Sequence, residues 1–371
     1  MFKNLARASV STLAAILAFA TPALHAQAPS APPKPPLKVA FVYVSPIGEA
    51  GWTFQHEQGR LAMQKALGDR VVSTVVESVA EGADSERVIR DLAAQGNRLI
   101  FATSFGYLEP TLRVAADFPF VAFEHAGGYK TAPNVNTYNA RYYEARYLAG
   151  LLAGKTSKSG IAGYVAGFPV PEVVQGINAF AIGMREANPN AQVRVLWLNT
   201  WFDPAREREA AQALIDQGAD VLTNHSGSPA VPQTAQASFR SKGVRAIAYQ
   251  SDMRAFAPDA QLAAVTLHWG GYYMQVARAV LNRTWKPRPV WGGMKDGLVQ
   301  LGAIDPSVPA PVRALVDTRR EAIVAGSVRP FDAPLVDNEG RTRLAQGTLD
   351  DGAIATMNWF VRGVVGSVPK P

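Results

Sequence analysis

The sequence predicts an α/β protein built from two similar lobes, each containing a parallel sheet. Short apolar runs alternate with helical patterns from residue 37 onward, as in successive β-α-β units. The alternation pauses at a helical stretch over residues 142–153 and then begins again, which indicates a second unit of similar size. The chain has 371 residues, 48% of them hydrophobic, which is enough for two domains of ordinary size.

The first residues have the pattern of an export signal. A basic start is followed by a short apolar run at residues 13–20 and by small residues at Ala26 and Ala28, where cleavage can occur. Residues 1–26 are therefore predicted to be a signal peptide, and residues 27–36 a Pro-rich, extended spacer. The chain has no cysteine, so it has no disulfide and no cysteine to lipidate. We expect an exported, soluble protein, periplasmic in a cell with two membranes.

The first predicted lobe alternates strands and helices. Its predicted strands are the apolar runs at residues 37–44, 71–77, 99–103 and 120–124. The predicted helices between them cover residues 53–67, 84–95 and 107–117. The second of these helices is expected to be capped at Asp84 or Ser85 and ended by Gly96.

The second predicted lobe repeats this order. Its strands are predicted at residues 161–165, 192–198, 219–224 and 244–250, and its helices at residues 171–186, 203–217 and 230–241. Asp203 and Pro204 suit the N-cap and first position of a helix. Beyond Asp252, strands are predicted at 262–267 and 297–302 and helices at 270–282, 312–325 and 350–362. These late elements exceed what one lobe needs, so the chain is expected to cross between lobes more than once.

Several function classes lack their sequence signals. The net charge is +7, but the basic residues are scattered rather than clustered, so we expect no nucleic-acid partner. The sequence contains no intact phosphate loop, no dinucleotide-binding glycine motif and no nucleophile elbow. Its five histidines lack zinc-ligand spacing. We therefore expect no metal, no cofactor and no catalytic residue.

One loop stands out after the first predicted strand. Trp52 lies there between Gly51 and Thr53, and Thr53 is expected to cap the following helix. Ligands of open α/β sheets bind beyond the carboxyl ends of the strands, so Trp52 is placed to stack on a planar ligand. The alternative is that Trp52 covers the core of its own lobe.

Aromatic or polar residues recur at the other strand ends. The candidates for ligand binding are Trp52, Thr53, Phe105, Glu124, Phe168, Trp201, Asn224, Asp252 and Lys295. Because the carboxyl ends of parallel strands share one edge, these residues can converge between two lobes. Tryptophans together with carboxylate and amide groups describe a pocket for a flat, hydrogen-bonding molecule. For any single residue, core packing or helix capping is the alternative.

Several stretches together resemble the basic membrane protein family of substrate-binding proteins for ABC transporters, which includes purine nucleoside receptors. They lie at residues 51–59, 134–154, 171–189, 199–206, 217–230, 249–253, 269–273 and 294–299. The resemblance implies a type I periplasmic binding fold, with two Rossmann-like lobes, three crossovers and a ligand cleft. It implies a first lobe of residues 37–138 and 267–295, and a second lobe of residues 139–266 and 296–371.

The resemblance also implies roles for individual residues. The first-lobe aromatic of the family motif F-N-x5-G falls on Trp52, and the second-lobe aromatic of F-x-D-P falls on Trp201. These two would enclose a purine ring. The acidic residue that holds a ribose falls on Asp252, and the lysine before D-G falls on Lys295. This sequence departs from the family pattern, because tryptophan replaces both phenylalanines, Thr53 replaces asparagine, and the lipid-anchor cysteine is missing.

The sequence therefore predicts a periplasmic receptor, not an enzyme, that binds a purine base such as adenine, or a purine nucleoside, and delivers it to an ABC permease in the inner membrane. One alternative is the same fold binding a sugar or another small molecule, because tryptophan also stacks on sugar faces. A different class is a periplasmic nucleoside hydrolase that uses His225, Ser226 and an acid. A sensor role beside a membrane kinase is also open.

Overall fold

The computed structural model describes residues 35–369. The predicted signal peptide and most of the predicted spacer lie outside these residues. The chain from Pro36 onward forms one unit by its contacts.

Strands β1 to β15 are numbered along the chain. They are Leu37–Val42, Val71–Val76, Leu99–Ala102, Ala122–Ala126, Val135–Ala140, Ile161–Ala166, Gln192–Trp197, Val221–His225, Arg245–Gln250, Gln261–Leu267, Val290–Gly292, Val299–Leu301, Leu335–Val336, Thr342–Leu344 and Val364–Val365.

Helices α1 to α10 are numbered in the same way. They are Trp52–Leu67, Ala83–Ala94, Leu108–Asp117, Tyr142–Thr156, Pro171–Ala187, Pro204–Asp216, Ala230–Lys242, Gly270–Leu281, Ala310–Val324 and Asp351–Ala355.

Two main sheets organise the fold. The first has the strand order β11-β5-β4-β3-β1-β2, and all of its pairings are parallel. The second has the order β12-β10-β9-β8-β6-β7-β15, and only β12 runs antiparallel to its neighbour. We call each sheet with its helices a lobe. The chain passes between the sheets after β5, before β11 and after β11, so the predicted three crossovers and two-lobed α/β fold are confirmed.

Strand β1 shows why its residues form the centre of a lobe. Val39, Ala40, Phe41 and Val42 are all fully buried, and successive side chains enter opposite core clusters. Phe41 stacks on Phe101 at 4.6 Å between ring centroids on one face. A parallel strand covered on both faces needs this near-continuous apolar run, which is the pattern that the sequence shows.

The predicted helix over residues 350–362 is wrong beyond Ala355. Asp350 caps a short helix by accepting the Ala353 N–H at 2.7 Å. The chain then extends, because Asn178 donates to the Trp359 carbonyl at 2.8 Å and accepts the Val361 N–H at 3.0 Å. The buried positions of this stretch are Ile354, Met357, Phe360 and Val361, a spacing that imitates a helical face.

Strand β5 was not predicted, because its sequence VNTYNA is largely polar. The structure buries it nevertheless, and the Asn136 Nδ2 donates to Glu124 Oε2 and to the Tyr272 hydroxyl, each at 3.1 Å. Burial of an amide is tolerated when it has such partners. The lobe boundary predicted after residue 138 falls inside this strand. The division into lobes by residue number stays a prediction.

The predicted capping role of Thr53 is also wrong. Helix α1 begins at Trp52, its N-cap is Gly51, and no side chain caps it. Thr53 is buried in the first turn, where its hydroxyl lies 2.7 Å from that of Ser45. The Asp84 and Ser85 caps are wrong as well, because α2 begins one residue earlier with Gly82 as its N-cap. The Asp203 cap is confirmed, since its side chain accepts the Ala205 and Arg206 N–H groups.

Candidate functional site

A cavity lies where the carboxyl ends of strands from both sheets meet. This is the position at which open α/β sheets bind ligands. Its lining residues come from loops and helix starts of both lobes: Val44, Ser45, Trp52, Ser104, Phe105, Ala126, Gly127, Glu172, Trp201, His225, Ser226, Gly227 and Gln250.

Trp52 is held in place by contacts within the first lobe. Its indole Nε1 donates to the Thr103 carbonyl, at 2.6 Å, at the end of β3. The His56 ring packs edge-on against it, with 4.3 Å between ring centroids. Thr53, the next residue, contacts the lining residue Ser45 but does not itself line the cavity. The Trp52 ring is therefore anchored to its own lobe by a hydrogen bond and an aromatic contact.

Trp201 is held from both lobes. It follows β7 in the second lobe, and the Phe168 ring packs edge-on against it at 4.9 Å. Its indole Nε1 donates across the cleft to Glu81 Oε1 at 3.1 Å. The same oxygen accepts the Ser104 hydroxyl at 2.6 Å and the Gly106 N–H at 2.8 Å. Glu81 thus links Trp201 of the second lobe to the loop of the first lobe that contains Ser104 and Gly106.

Besides three serines, the polar side chains of Glu172, His225 and Gln250 line the cavity. The Glu172 carboxylate accepts the Asn139 amide at 2.9 Å and lies 3.5 Å from His225 Nε2. Burial lowers the pKa of His225, partly offset by Glu172, so the imidazole is neutral at neutral pH. Within the described residues, His225 Nδ1 and Gln250 Oε1 are buried without a hydrogen-bond partner. Buried polar atoms of this kind are candidates to bind a ligand.

Gln250 also has an unusual backbone. Its φ is +73°, in the left-handed region that non-glycine residues rarely adopt. It ends β9 and directs its side chain toward the cavity lining. Strain of this kind clusters at functional sites, where the surrounding structure enforces it.

The predicted site residues fall into three groups. Trp52, Phe105 and Trp201 line the cavity together. Three others, Thr53, Phe168 and Asn224, do not line the cavity but contact residues that do, namely Ser45, Trp201 and Ser226 respectively.

The remaining three predicted residues are not among the residues that line the cavity: Glu124, Asp252 and Lys295. Asp252 accepts Gln261 Nε2 at 2.6 Å and the Arg254 N–H at 2.9 Å, so its carboxylate serves its own loop. Lys295 is exposed. Glu124 is fully buried in β4, where it accepts Trp285 Nε1 at 2.8 Å and the Tyr272 hydroxyl at 2.5 Å.

Burial of Glu124 predicts a pH-dependent stability. Burial raises its pKa from 4.5 to about 7, so the folded chain keeps a proton that the unfolded chain releases in this range. Its contribution to stability is therefore present in full below pH 4.5 and is lost as the pH rises through about 7. The Glu124→Gln variant lacks this titrating group, so it should not show the loss. The difference in free energy of unfolding between this variant and wild type should therefore shift by ~1–3 kcal/mol in favour of the variant from pH 4.5 to pH 8.

Chemical denaturation of both proteins across this pH range measures the difference. Neighbouring His125 has its pKa lowered to about 3 by burial, so it acts in the opposite direction in both proteins and cancels in the comparison. Two stability curves that stay parallel over the whole range would contradict the assignment to Glu124.

Sequence reasoning missed Glu172 and Gln250. Gln250 ends a predicted strand, which is the signal that singled out Asn224, and it could have been found in the same way. Glu172 lies in the first turn of α5, where an acidic residue is ordinarily explained by the helix dipole. Its carboxylate instead bonds Asn139 of the other lobe, a contact that no local pattern indicates.

The hydrolase alternative needs a serine bonded to a base. The Ser226 hydroxyl instead donates to Glu207 Oε2 at 2.8 Å, and its other partner in the described residues is the Asn224 amide. His225 faces Glu172. The contacts of Ser226 are thus those of a structural hydroxyl that satisfies a buried carboxylate.

Two features are absent from residues 35–369. No described helix combines the length and apolar character needed to span a bilayer. No group of three or more histidine, cysteine or acidic residues in this part of the chain is arranged to hold a metal ion.

The model of the ABC transporter substrate-binding protein family described as PnrA-like matches residues 37–329. This chain belongs to that family. The predicted resemblance to basic membrane proteins is thereby confirmed, and with it the general role of an ABC transporter substrate-binding protein.

Two relatives of this PnrA-like chain are named for different ligands. It is 49% identical to a purine-binding protein of Brucella abortus (strain 2308), over 90% of this chain and 94% of that protein. It is 37% identical to a Haloferax volcanii protein provisionally named as an ABC transporter glucose-binding protein, over 90% of this chain and 82% of that protein.

Solved structures show the same fold. An ABC transporter solute-binding protein from Aeropyrum pernix K1 matches with a TM-score of 0.69 at 18% identity, over 81% of this chain and 94% of that chain. One from Conexibacter woesei DSM 14684 matches with a TM-score of 0.62 at 24% identity, over 79% of this chain and 98% of that chain. The expected periplasmic binding protein fold is confirmed by these matches.

Proposed function

We propose that this substrate-binding protein closes on a purine, as a free base or a nucleoside, in the cavity between its two lobes. One observation carries the proposal: Trp52, at the start of α1, and Trp201, in the loop after β7, come from different lobes and line the same cavity. Aromatic rings on opposite lobes suit a flat aromatic ligand, since offset stacking on each ring adds ~1 kcal/mol beyond buried area.

Polar groups of the same cavity support a heteroaromatic ligand rather than a purely apolar one. Glu172 and Gln250 offer acceptor oxygens, and Ser45 and Ser104 offer hydroxyls. A purine edge carries both N–H donors and ring-nitrogen acceptors, so it can satisfy such a set. The name of the Brucella abortus relative, a purine-binding protein at 49% identity, agrees with this chemistry.

Transport requires that the lobes open and close around the ligand. In the structure they touch at the cavity mouth, where the Trp201 indole donates to Glu81 and the Gly51 N–H donates to the Ser251 hydroxyl at 2.8 Å. We propose that a bound purine stabilises this closed arrangement by contacting both lobes. The closed receptor would then dock on an inner-membrane ABC permease from the periplasm, where the signal peptide would deliver it.

A sugar is the second candidate ligand. The Haloferax volcanii relative, named for glucose, is 37% identical to this chain. Tryptophan rings and a carboxylate also suit a pyranose, whose apolar face stacks and whose hydroxyls donate hydrogen bonds. The cavity composition therefore admits a sugar, while the more similar relative favours the purine.

The test is identification of the small molecule released from natively purified protein by denaturation, using mass spectrometry. We expect a purine at near-stoichiometric amount. Calorimetric titration of ligand-stripped protein should give micromolar or tighter binding for adenine, adenosine or both, and none for glucose. Tight binding of glucose without any purine binding would overturn the proposal and keep the fold and family.

A further inference from the structure

The cavity contains a carboxylate where the family resemblance implied none. Among the described lining residues, Glu172 is the one acidic side chain. The two charged residues that the resemblance assigned to a ribose, Asp252 and Lys295, do not line the cavity. The charge available to a bound ligand is thus at a different place, in the first turn of α5.

The contacts of Glu172 leave it with acceptor capacity. Its Oε2 accepts the Asn139 amide at 2.9 Å, and its Oε1 lies 3.5 Å from the Nε2 of His225, beyond a normal hydrogen bond. A carboxylate has about four acceptor sites, so at least two remain. No lysine or arginine forms an ion pair with Glu172 within residues 35–369. A partly enclosed carboxylate without a cation calls for a strong donor from the ligand.

The position of Glu172 suits the edge of a stacked ring. An added Cβ at Gly127, opposite in the first lobe, would lie 3.3 Å from Glu172 Oε2 and 4.0 Å from the Phe105 ring. The carboxylate therefore lies near the Phe105 ring, between the lobes. A purine that stacks on tryptophan points its N–H groups outward in the plane of its own ring, where a carboxylate at the ring edge can accept them.

We propose that Glu172 makes this site selective for a free purine base, by accepting the N–H of the imidazole half of the ring. This N–H is the most acidic donor of adenine, and it is absent from a nucleoside, where ribose is attached to N9. A nucleoside would bring its ribose against the carboxylate, and neither Asp252 nor Lys295 lines the cavity to hold the sugar. The inference rests on the proposed purine function and adds the chemical class of purine.

The test compares adenine, 9-methyladenine and adenosine by calorimetry with the wild-type chain. We expect adenine to bind about 100-fold more tightly than 9-methyladenine and adenosine, because a charge-assisted bond is lost and an acceptor is left unsatisfied. In Glu172→Gln, adenine should lose roughly 30-fold in affinity, while 9-methyladenine should change by less than about threefold. The ratio between the two ligands should therefore fall to below about tenfold.

If other residues excluded the methyl group sterically, the ratio in Glu172→Gln would equal that in wild type. A fall in the ratio therefore indicates that Glu172 itself recognises the N–H. Glu144→Gln is the matched control, because Glu144 also lies in the first turn of a helix, accepts the Met294 N–H at 2.7 Å and does not line this cavity. It should keep the wild-type ratio. Should Glu172→Gln fail to fold, Glu172→Asp provides the same comparison with a retracted carboxylate.

Adenosine binding as tight as adenine would overturn the inference and leave the purine function standing. So would an adenine preference that is unchanged in Glu172→Gln. Failure of all three ligands to bind would refute the proposed function, and the inference would fail with it.

Discussion

Gly51→Ala is expected to lower adenine affinity by about 100-fold while the chain stays folded. Gly51 has φ +94°, and a Cβ added there would lie 2.9 Å from the carbonyl carbon of Gly227 in the other lobe and closer still to its oxygen. Real atoms cannot approach so closely, and both partners are backbone, so the lobes must move apart. Overpacking of this kind costs ~1–3 kcal/mol, and the apparent affinity falls with the population of the closed state.

Gly48→Ala is the matched control for this prediction. Gly48 lies in the same loop with φ +57°, but nothing lies within 4 Å of its added Cβ. It should cost ~1 kcal/mol of stability from the left-handed backbone and leave affinity within about threefold. Calorimetry with adenine and thermal unfolding measure the two effects separately. Equal affinities in the two variants would show that ligand binding does not need the observed contact between Gly51 and Gly227.

Truncation of either cavity tryptophan is expected to have the next largest effect. Trp52→Ala and Trp201→Ala should each weaken adenine binding by roughly 30-fold or more, as expected for an aromatic anchor at the centre of a binding site. The phenylalanine variants keep a stacking ring and should lose less than about tenfold. Calorimetric titration of the four variants with adenine is the measurement.

Trp291→Ala serves as the control, because Trp291 lies on edge strand β11, under the Arg141 guanidinium, and does not line the cavity. The affinity of this variant for adenine should match that of wild type.

The two phenylalanine variants are also expected to differ in kinetics. Trp201→Phe removes the bond to Glu81 across the cleft, whereas Trp52→Phe removes a bond within one lobe. Faster ligand release is therefore expected for Trp201→Phe. Unchanged affinity in Trp52→Ala would refute the stacking model.

Part of the site could be predicted from the sequence, because the pattern that predicts parallel strands also predicts where the ends of those strands lie. Apolar runs followed by helical patterns imply parallel strands, and the carboxyl ends of such strands share an edge. That rule predicts that Trp52, Phe105 and Trp201 lie close together, and all three line the cavity. Their role in binding stays a proposal.

The same rule could not separate residues at a strand end by the direction of their side chains. Glu124 and His125 are neighbours in β4, so they point to opposite faces of the sheet. Glu124 faces Tyr272 and Trp285, which reach it from about 150 residues further along the chain. No local signal indicates those partners, and so the sequence could not show that this carboxylate serves the core.

The sequence by itself determined the fold class, the family and the edge of the sheets at which a ligand would bind, because these follow from periodicity and local motifs. The tertiary structure decided which polar groups reach the cavity. Glu172 and Gln250 line it, while Asp252 and Lys295 do not. The physical reason, for Glu172, is that its carboxylate lies where it has a hydrogen-bond partner. For Glu172 that partner is Asn139 of the opposite lobe, a contact that exists only once both lobes have folded and met.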